Sequence, residues 1–208
     1  MTEIFPSDPQ KIRARIRSYE RKLQLELDRG CPDDGYGKRF LLGPLYMLLN
    51  DVDGALASYE WFVEAYSDSG GDPYQYLMWS LALYRARRWE EANNKLYQTM
   101  LQNIYLIPHL LGDEPRPKRI RHRSNLAEWE YALDTPPSLL AVWNSAERAW
   151  ARQLSQDPAV TERVARYIEI SRELHRSPAD RRYTALVNEQ YRLERTALDR
   201  PVRRARAT

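Results

Sequence analysis

YGKRFLLGPLYMLLNDVDGALASYEWFVEAYS, residues 36–67, and PYQYLMWSLALYRARRWEEANNKLYQTMLQN, residues 73–103, scan in one register. Each reads as an apolar helix, a tight turn, a small residue and a second, amphipathic helix. The small residues are Ala55 and Ala92, 37 positions apart. Twelve positions before them stand Gly43 and Ser80; four positions after them stand Tyr59 and Leu96, and seven after, Phe62 and Thr99. In the first helices Leu42, Gly43 and Tyr46 correspond to Trp79, Ser80 and Leu83. Asn50 and Arg87 take the turns, Asp51 is placed to cap the helix that follows it, and Trp89 fills the aromatic place just before Ala92. Small residues at such spacings let two antiparallel helices touch, and larger ones fill the groove to the next pair. Pro44 falls inside the first helix, which is therefore expected to kink or to begin late, near Gly43.

This pattern resembles the tetratricopeptide repeat, whose period is about 34 residues. The polar, glycine-rich loop at 67–72 accounts for the longer spacing here. Thr99 stands where the repeat usually has alanine, Arg87 where it has glycine, and neither copy ends in proline. The resemblance implies an all-α chain, a TPR-like α-solenoid of helical hairpin repeats with flanking C-terminal helices. It also implies a non-catalytic adaptor or scaffold for protein–protein interaction, whose first helices line a concave groove. The matching positions are Arg39, Phe40 and Met47 in the first repeat and Tyr74, Leu77, Leu81, Tyr84 and Arg85 in the second. An aromatic and apolar lining edged by arginine suits a short amphipathic helix or an extended acidic peptide. The carboxylate clamp of chaperone-binding relatives needs lysine and asparagine where this chain has Phe40 and Pro44, so no chaperone-tail binding is expected.

Upstream, residues 8–29 read as a helix capped by Asp8 and started by Pro9. Ile12, Ile16, Tyr19, Leu23 and Leu27 form its apolar stripe, and Arg13, Arg17, Arg21 and Lys22 its solvated face. It is expected to cap the first repeat. A turn at 31–35 follows, with Asp33 or Asp34 as a cap for the next helix. Asp72-Pro73 is another cap–proline start.

Downstream, LYQTMLQN leads into NIYLIPHLLG, residues 103–112, which is too short and proline-interrupted for more than a helical turn. A proline-punctuated basic loop and NLAEWEYALDTPPSLLAVWNSAERAW come next. This order resembles bacterial tetratricopeptide proteins, with similar segments in the SEC-C-motif and suppressor-of-tumorigenicity-seven families. Glu128, Tyr131, Ala132, Trp143 and Trp150 fall at the matching places, over roughly residues 36–154. The cysteine-rich metal motif of the SEC-C proteins is absent, so the resemblance carries no zinc.

In that loop Arg116, Lys118, Arg119, Arg121 and Arg123 lie within eight positions, with His122 among them. Clustered arginines make bidentate contacts with phosphate or carboxylate. The alternative function is thus a nucleic-acid-associated factor using residues 116–123 and the tail with Arg203, Arg204 and Arg206. Charge asymmetry points the same way: residues 1–114 hold 13 Lys/Arg and 17 Asp/Glu, residues 115–208 hold 19 and 12. Against it, arginine outnumbers lysine 27 to 5 throughout, a bias that composition alone can produce.

Asn125-Leu126-Ala127-Glu128 has capping-box spacing and predicts a helix to about Asp134. A second helix is predicted from Thr135-Pro136 to about Gln156, burying Leu139, Leu140, Trp143, Ala146, Trp150 and Leu154. Asp157-Pro158 starts a third, carrying Val160, Val164, Tyr167, Ile168 and Ile170; Ser177-Pro178 starts the last, carrying Tyr183, Leu186, Val187, Gln190, Leu193 and Leu198. This last pair forms a hairpin or a surface for a homodimer. The divisions are 1–35, a capping helix; 36–112, two repeats and a helical turn; 113–124, a basic connector; 125–200, a C-terminal helical extension; and 201–208, a basic tail.

Hydrophobic residues make up 43 per cent of the 208, enough for a core, and mean hydropathy is −0.71. No apolar run approaches a membrane span, and the start lacks a secretory pattern, so a cytoplasmic protein is expected. Cys31 is the lone cysteine and excludes an intramolecular disulfide. No phosphate-binding loop, nucleophile elbow or paired-histidine motif occurs. His109, His122 and His175 are far apart, with His109 read as core; adjacent Glu90 and Glu91 point to different sides of a helix. No catalytic residue, metal or cofactor is expected.

Overall fold

The structure, a computed structural model, describes residues 4–30, 37–67, 70–176 and 181–198. The expected turn at 31–35 with Cys31, the centre of the 67–72 loop, the Ser177-Pro178 helix start and the basic tail lie outside the described residues. Among the described residues the fold is all-helical, with eleven α-helices, one 3-10 turn at Asn125–Ala127 and no strand. In chain order the helices are α1 (Pro9–Asp28), α2 (Lys38–Leu48), α3 (Val52–Ala65), α4 (Pro73–Arg85), α5 (Trp89–Gln102), α6 (Leu106–Leu110), α7 (Trp129–Leu133), α8 (Pro137–Ala141), α9 (Ser145–Ser155), α10 (Pro158–Arg176) and α11 (Arg181–Arg195). They form two compact units, Met1–Ala92 with Thr135–Asn144, and Asn93–Asp134 with Ser145–Thr208, which cut across the divisions drawn from sequence.

In the first unit α1 opens where the Asp-Pro pair places it: the Asp8 carboxylate accepts from the Gln10 N–H at 2.8 Å. Ile12, Ile16 and Leu23 are buried, while Arg13, Arg17, Arg21 and Lys22 are exposed. This helix packs on α2; α2 and α3 form a hairpin, and α4 packs on both. The turn after α2 and the turn after α4 are the same object. The Asn50 N–H donates to the Met47 carbonyl and the Asp51 N–H to that of Tyr46, each at 3.0 Å. The Arg87 N–H donates to Tyr84 at 3.0 Å and the Arg88 N–H to Leu83 at 2.9 Å. This double closure satisfies the last carbonyls of a helix and needs a left-handed residue. Asn50 and Arg87 supply it, at φ 57° and 61°. Asp51 then caps α3 by accepting from the Gly54 N–H at 2.9 Å. Asp72 and Gln75 cap α4 reciprocally.

Gly43 is required by contact. A Cβ there would lie 2.0 Å from the Tyr59 ring. That ring is 1 per cent exposed and stacks on Trp79 at 4.7 Å with an 8° tilt. Pro44 does not delay the helix, contrary to expectation: α2 starts at Lys38 and runs through it. A proline's fixed φ is helical, and its main loss is one bond, to the Phe40 carbonyl. Neighbours α1, α3, α4 and α8 all pack on α2 and hold it in place.

In the second unit the predicted capping box at 125–128 does not form. Glu128 is extended, at φ −78° and ψ 160°, and makes no side-chain cap bond. The reason is Asn103. Its amide donates to the Leu126 carbonyl at 2.8 Å and the Glu128 carbonyl at 3.0 Å, and its oxygen accepts from the Tyr105 N–H at 2.9 Å. The single helix predicted over 135–156 is likewise two, α8 and α9. The Val142 carbonyl, which a continuous helix would direct to residue 146, accepts instead from Arg85 at 2.8 Å. The break resets the helical phase, so Ala146 is exposed and Glu147, 3 per cent exposed, is buried in its place.

Helices α10 and α11 form an antiparallel pair around Ile170, Leu174 and Leu186, with Tyr183, Val187 and Leu193 against them. Arg166 clamps Glu189 by two bonds of 2.8 and 2.9 Å. The Tyr97 hydroxyl donates to the Leu193 carbonyl at 3.0 Å and the Leu198 N–H donates to Asn94 at 2.7 Å, which fastens the end of the described chain to α5. No helix among the described residues is long and apolar enough to cross a membrane.

The Gly43–Tyr59 contact yields two expectations for urea unfolding. Gly43→Ala loses about 1–3 kcal/mol, because the buried ring has no room to move. Tyr59→Phe gains about 1 kcal/mol, because the Tyr59 hydroxyl is buried without a hydrogen-bond partner.

Candidate interaction surface

The eight groove positions separate into two sets. Met47, Leu77 and Leu81 are at most 1 per cent exposed and Tyr74 is 8 per cent exposed. These four are core, not groove lining, which corrects the sequence reading. Their burial follows from the packing of α2 and α4 on each other and from the return of residues 135–144 to this unit. Arg39, Phe40, Tyr84 and Arg85 are half-buried at the edge. The Arg39 guanidinium lies 4.8 Å from both the Phe40 and the Tyr66 ring centres, a cation–π sandwich. Phe40 meets Phe62 at 5.7 Å, and Tyr84 meets Trp89 edge-on at 4.8 Å.

Arg85 joins three segments. Its Nη1 donates to Asn50 Oδ1 at 2.8 Å, across the hairpin turn, and its Nη2 donates to the Val142 carbonyl. Helix α8 packs on α2, with Leu139 wholly buried and Trp143 3 per cent exposed. Sequence reasoning treated these two residues as one face of a long helix and did not associate them with the repeats. The Pro136-Pro137 pair is the one local signal that the chain restarts there.

The basic connector is a strap fastened to its own unit. Ile120 is buried. The Lys118 N–H donates to the Tyr105 hydroxyl at 3.1 Å and the Arg121 N–H to the Ser171 carbonyl at 2.9 Å. The Arg121 guanidinium lies 5.3 Å from the Tyr183 ring centre. Arg123 forms an ion pair with Glu194 and stacks 4.7 Å from Tyr191. Arg121 and Arg123 are thereby committed within the chain. Arg116, Lys118 and Arg119 are exposed and have no carboxylate partner among the described residues.

His109 is half-buried, not core; His122 lies 5.9 Å from Tyr105, and His175 is exposed. Among the described residues no three His, Cys, Asp or Glu side chains come together as a metal site. Glu91 is held below its usual range by the hydrogen-bonded Arg88, which also reaches Glu60 at 3.3 Å. Sequence reasoning passed over Lys95, which burial lowers to about 8. No protein-family model, curated protein or solved structure matches the chain.

Lys95 makes stability depend on pH with a definite sign. Below about 8 the folded chain holds a charged ammonium at a half-buried position. Between about 8 and the ordinary 10.5 the folded state gives up a proton that the unfolded state keeps, so stability rises with pH. Lys95→Met is expected to stabilise by about 1–3 kcal/mol at neutral pH. The gain should shrink across that window when unfolding is followed at a series of pH values.

Proposed function

We propose that the chain is a non-catalytic, cytoplasmic protein-interaction module of the tetratricopeptide type. Its partner in this reading is a short helix that presents leucine and tryptophan to the first helices of the repeats. The observation that carries the reading is the chain's own segment, Thr135–Asn144. It lays a five-residue helix on α2, buries Leu139 and Trp143, and ties its end to Arg85. A surface that accepts one short apolar helix with an arginine on its terminal carbonyl has the chemistry to accept another. The identical left-handed closures at Asn50 and Arg87 support the repeat assignment.

A second reading rests on the exposure of Arg116, Lys118 and Arg119. Three cations on a strap bind phosphate weakly and with steep salt dependence. In that case Arg119→Glu weakens binding to single-stranded RNA at low salt and leaves the peptide binding below untouched.

The peptide reading is tested with labelled TPPSLLAVWN added in trans. The tethered segment competes at a local concentration in the millimolar range, so the intact protein should bind the peptide poorly. Leu139→Ala with Trp143→Ala, which weakens the tethered segment and leaves the accepting surface intact, should improve binding by about tenfold or more in fluorescence anisotropy. Equal, weak binding to the intact protein and this variant would sink the reading.

A further inference from the structure

A pocket of about 280 Å³ lies within the second unit. Its apolar wall comes from the end of α5 (Met100), the turn into α6 (Ile104), α6 itself (Ile107) and one face of α10 (Val164, Ile168). Met100 and Ile107 are 5 and 1 per cent exposed; Ile104, Val164 and Ile168 are half-buried. Such a wall stays poorly hydrated and favours an apolar occupant.

The polar residues of this pocket are Asp113, Ser155 and Thr161. Asp113 is set at the edge by the closure of α6, where Gly112 takes φ 82° and the Asp113 N–H donates to the Pro108 carbonyl at 2.9 Å. Ser155 Oγ donates its proton to the Arg152 carbonyl at 2.8 Å, and Thr161 Oγ1 donates its own to the Ser155 carbonyl at 3.3 Å. Both hydroxyl protons are spent, so both oxygens offer only lone pairs. All three polar side chains therefore present acceptors, and one is a carboxylate. Nearby positive features are already engaged. Arg152 donates to the Leu111 carbonyl at 2.9 Å and stands 3.8 Å from Asp113, with both side chains substantially exposed. The amino end of α10 is capped by Asp157, which accepts from the Ala159 and Val160 N–H groups at 2.9 and 3.4 Å.

We propose that this pocket binds an apolar ligand that ends in a protonated amine, an alkylamine or arylalkylamine. The chain lies on the Ile and Val wall, and the ammonium donates to Asp113, Ser155 and Thr161. An ammonium carries three donors and no acceptor, which matches a rim made of acceptors.

The test titrates the intact protein at neutral pH with n-octylamine, n-octanol and n-octanoate, followed by calorimetry and by shifts of the Ile and Val methyl signals. The amine should bind at least tenfold more tightly than the alcohol, and the carboxylate should not bind measurably. Asp113→Asn should bring amine and alcohol to within about twofold of each other, through loss of one charged contact. Ala165, exposed on α10 and lining the pocket, gives a filling variant that spares the core: Ala165→Trp should abolish binding of all three probes. Failure of every probe to bind overturns the site. Equal affinity for amine and alcohol, or preference for the carboxylate, overturns the assignment of the cationic end.

Discussion

The approach of α2 to α3 is set by a residue with no side chain. Gly43 lets the Tyr59 ring enter the space that a Cβ would take. Tyr59 in turn carries Trp79 of α4 on its other side, in near-parallel stacking. One small–large contact thus fixes the hairpin and, through the stacked ring, the helix that follows. Interiors at crystalline density transmit such a constraint directly, since no free volume absorbs an error. The cost is a phenolic hydroxyl buried without a partner. Burial holds its ionisation well above the ordinary tyrosine range, so it stays neutral.

Polar side chains decide the irregular parts of the second unit. Asn103 occupies both carbonyls that would otherwise continue into a helix at 125–128. Gln190 donates to Ser171 Oγ at 2.9 Å inside the α10–α11 pair, while the Ser171 carbonyl receives the strap at Arg121. Arg148 and Arg152 donate to the Leu110 and Leu111 carbonyls at the end of α6. Each of these polar groups finds its partner far away in sequence. Of the arginines that look like an anion site in one dimension, Arg121 lies against Tyr183 and Arg123 pairs with Glu194 in three.

Local grammar was legible to the extent that it was self-contained. Asp-Pro starts at Asp8, Asp72 and Asp157 fall where they were read, because cap, proline and first turn lie within four residues of one another. The turns at Asn50 and Arg87 were legible from the repeated register alone, even though arginine is a poor left-handed residue. The candidate surface was legible only at its edge. Phe40 and Arg85 are accessible, but Met47, Leu77 and Leu81 are not, because burial on the second face of a helix depends on what returns to cover it.

The amino-acid sequence by itself determined that the chain is helical, where most helices begin, and where the turns at Asn50 and Arg87 fall. Those properties rest on interactions between residues close in the chain. Only the tertiary structure decided that residues 135–144 belong with the first unit, that the 135–156 helix breaks at Val142, and that Asp113, Ser155 and Thr161 share one pocket. Each of these depends on a carbonyl or a side chain meeting a group tens of residues away. No periodicity encodes such meetings, because they are set by the way whole helices pack.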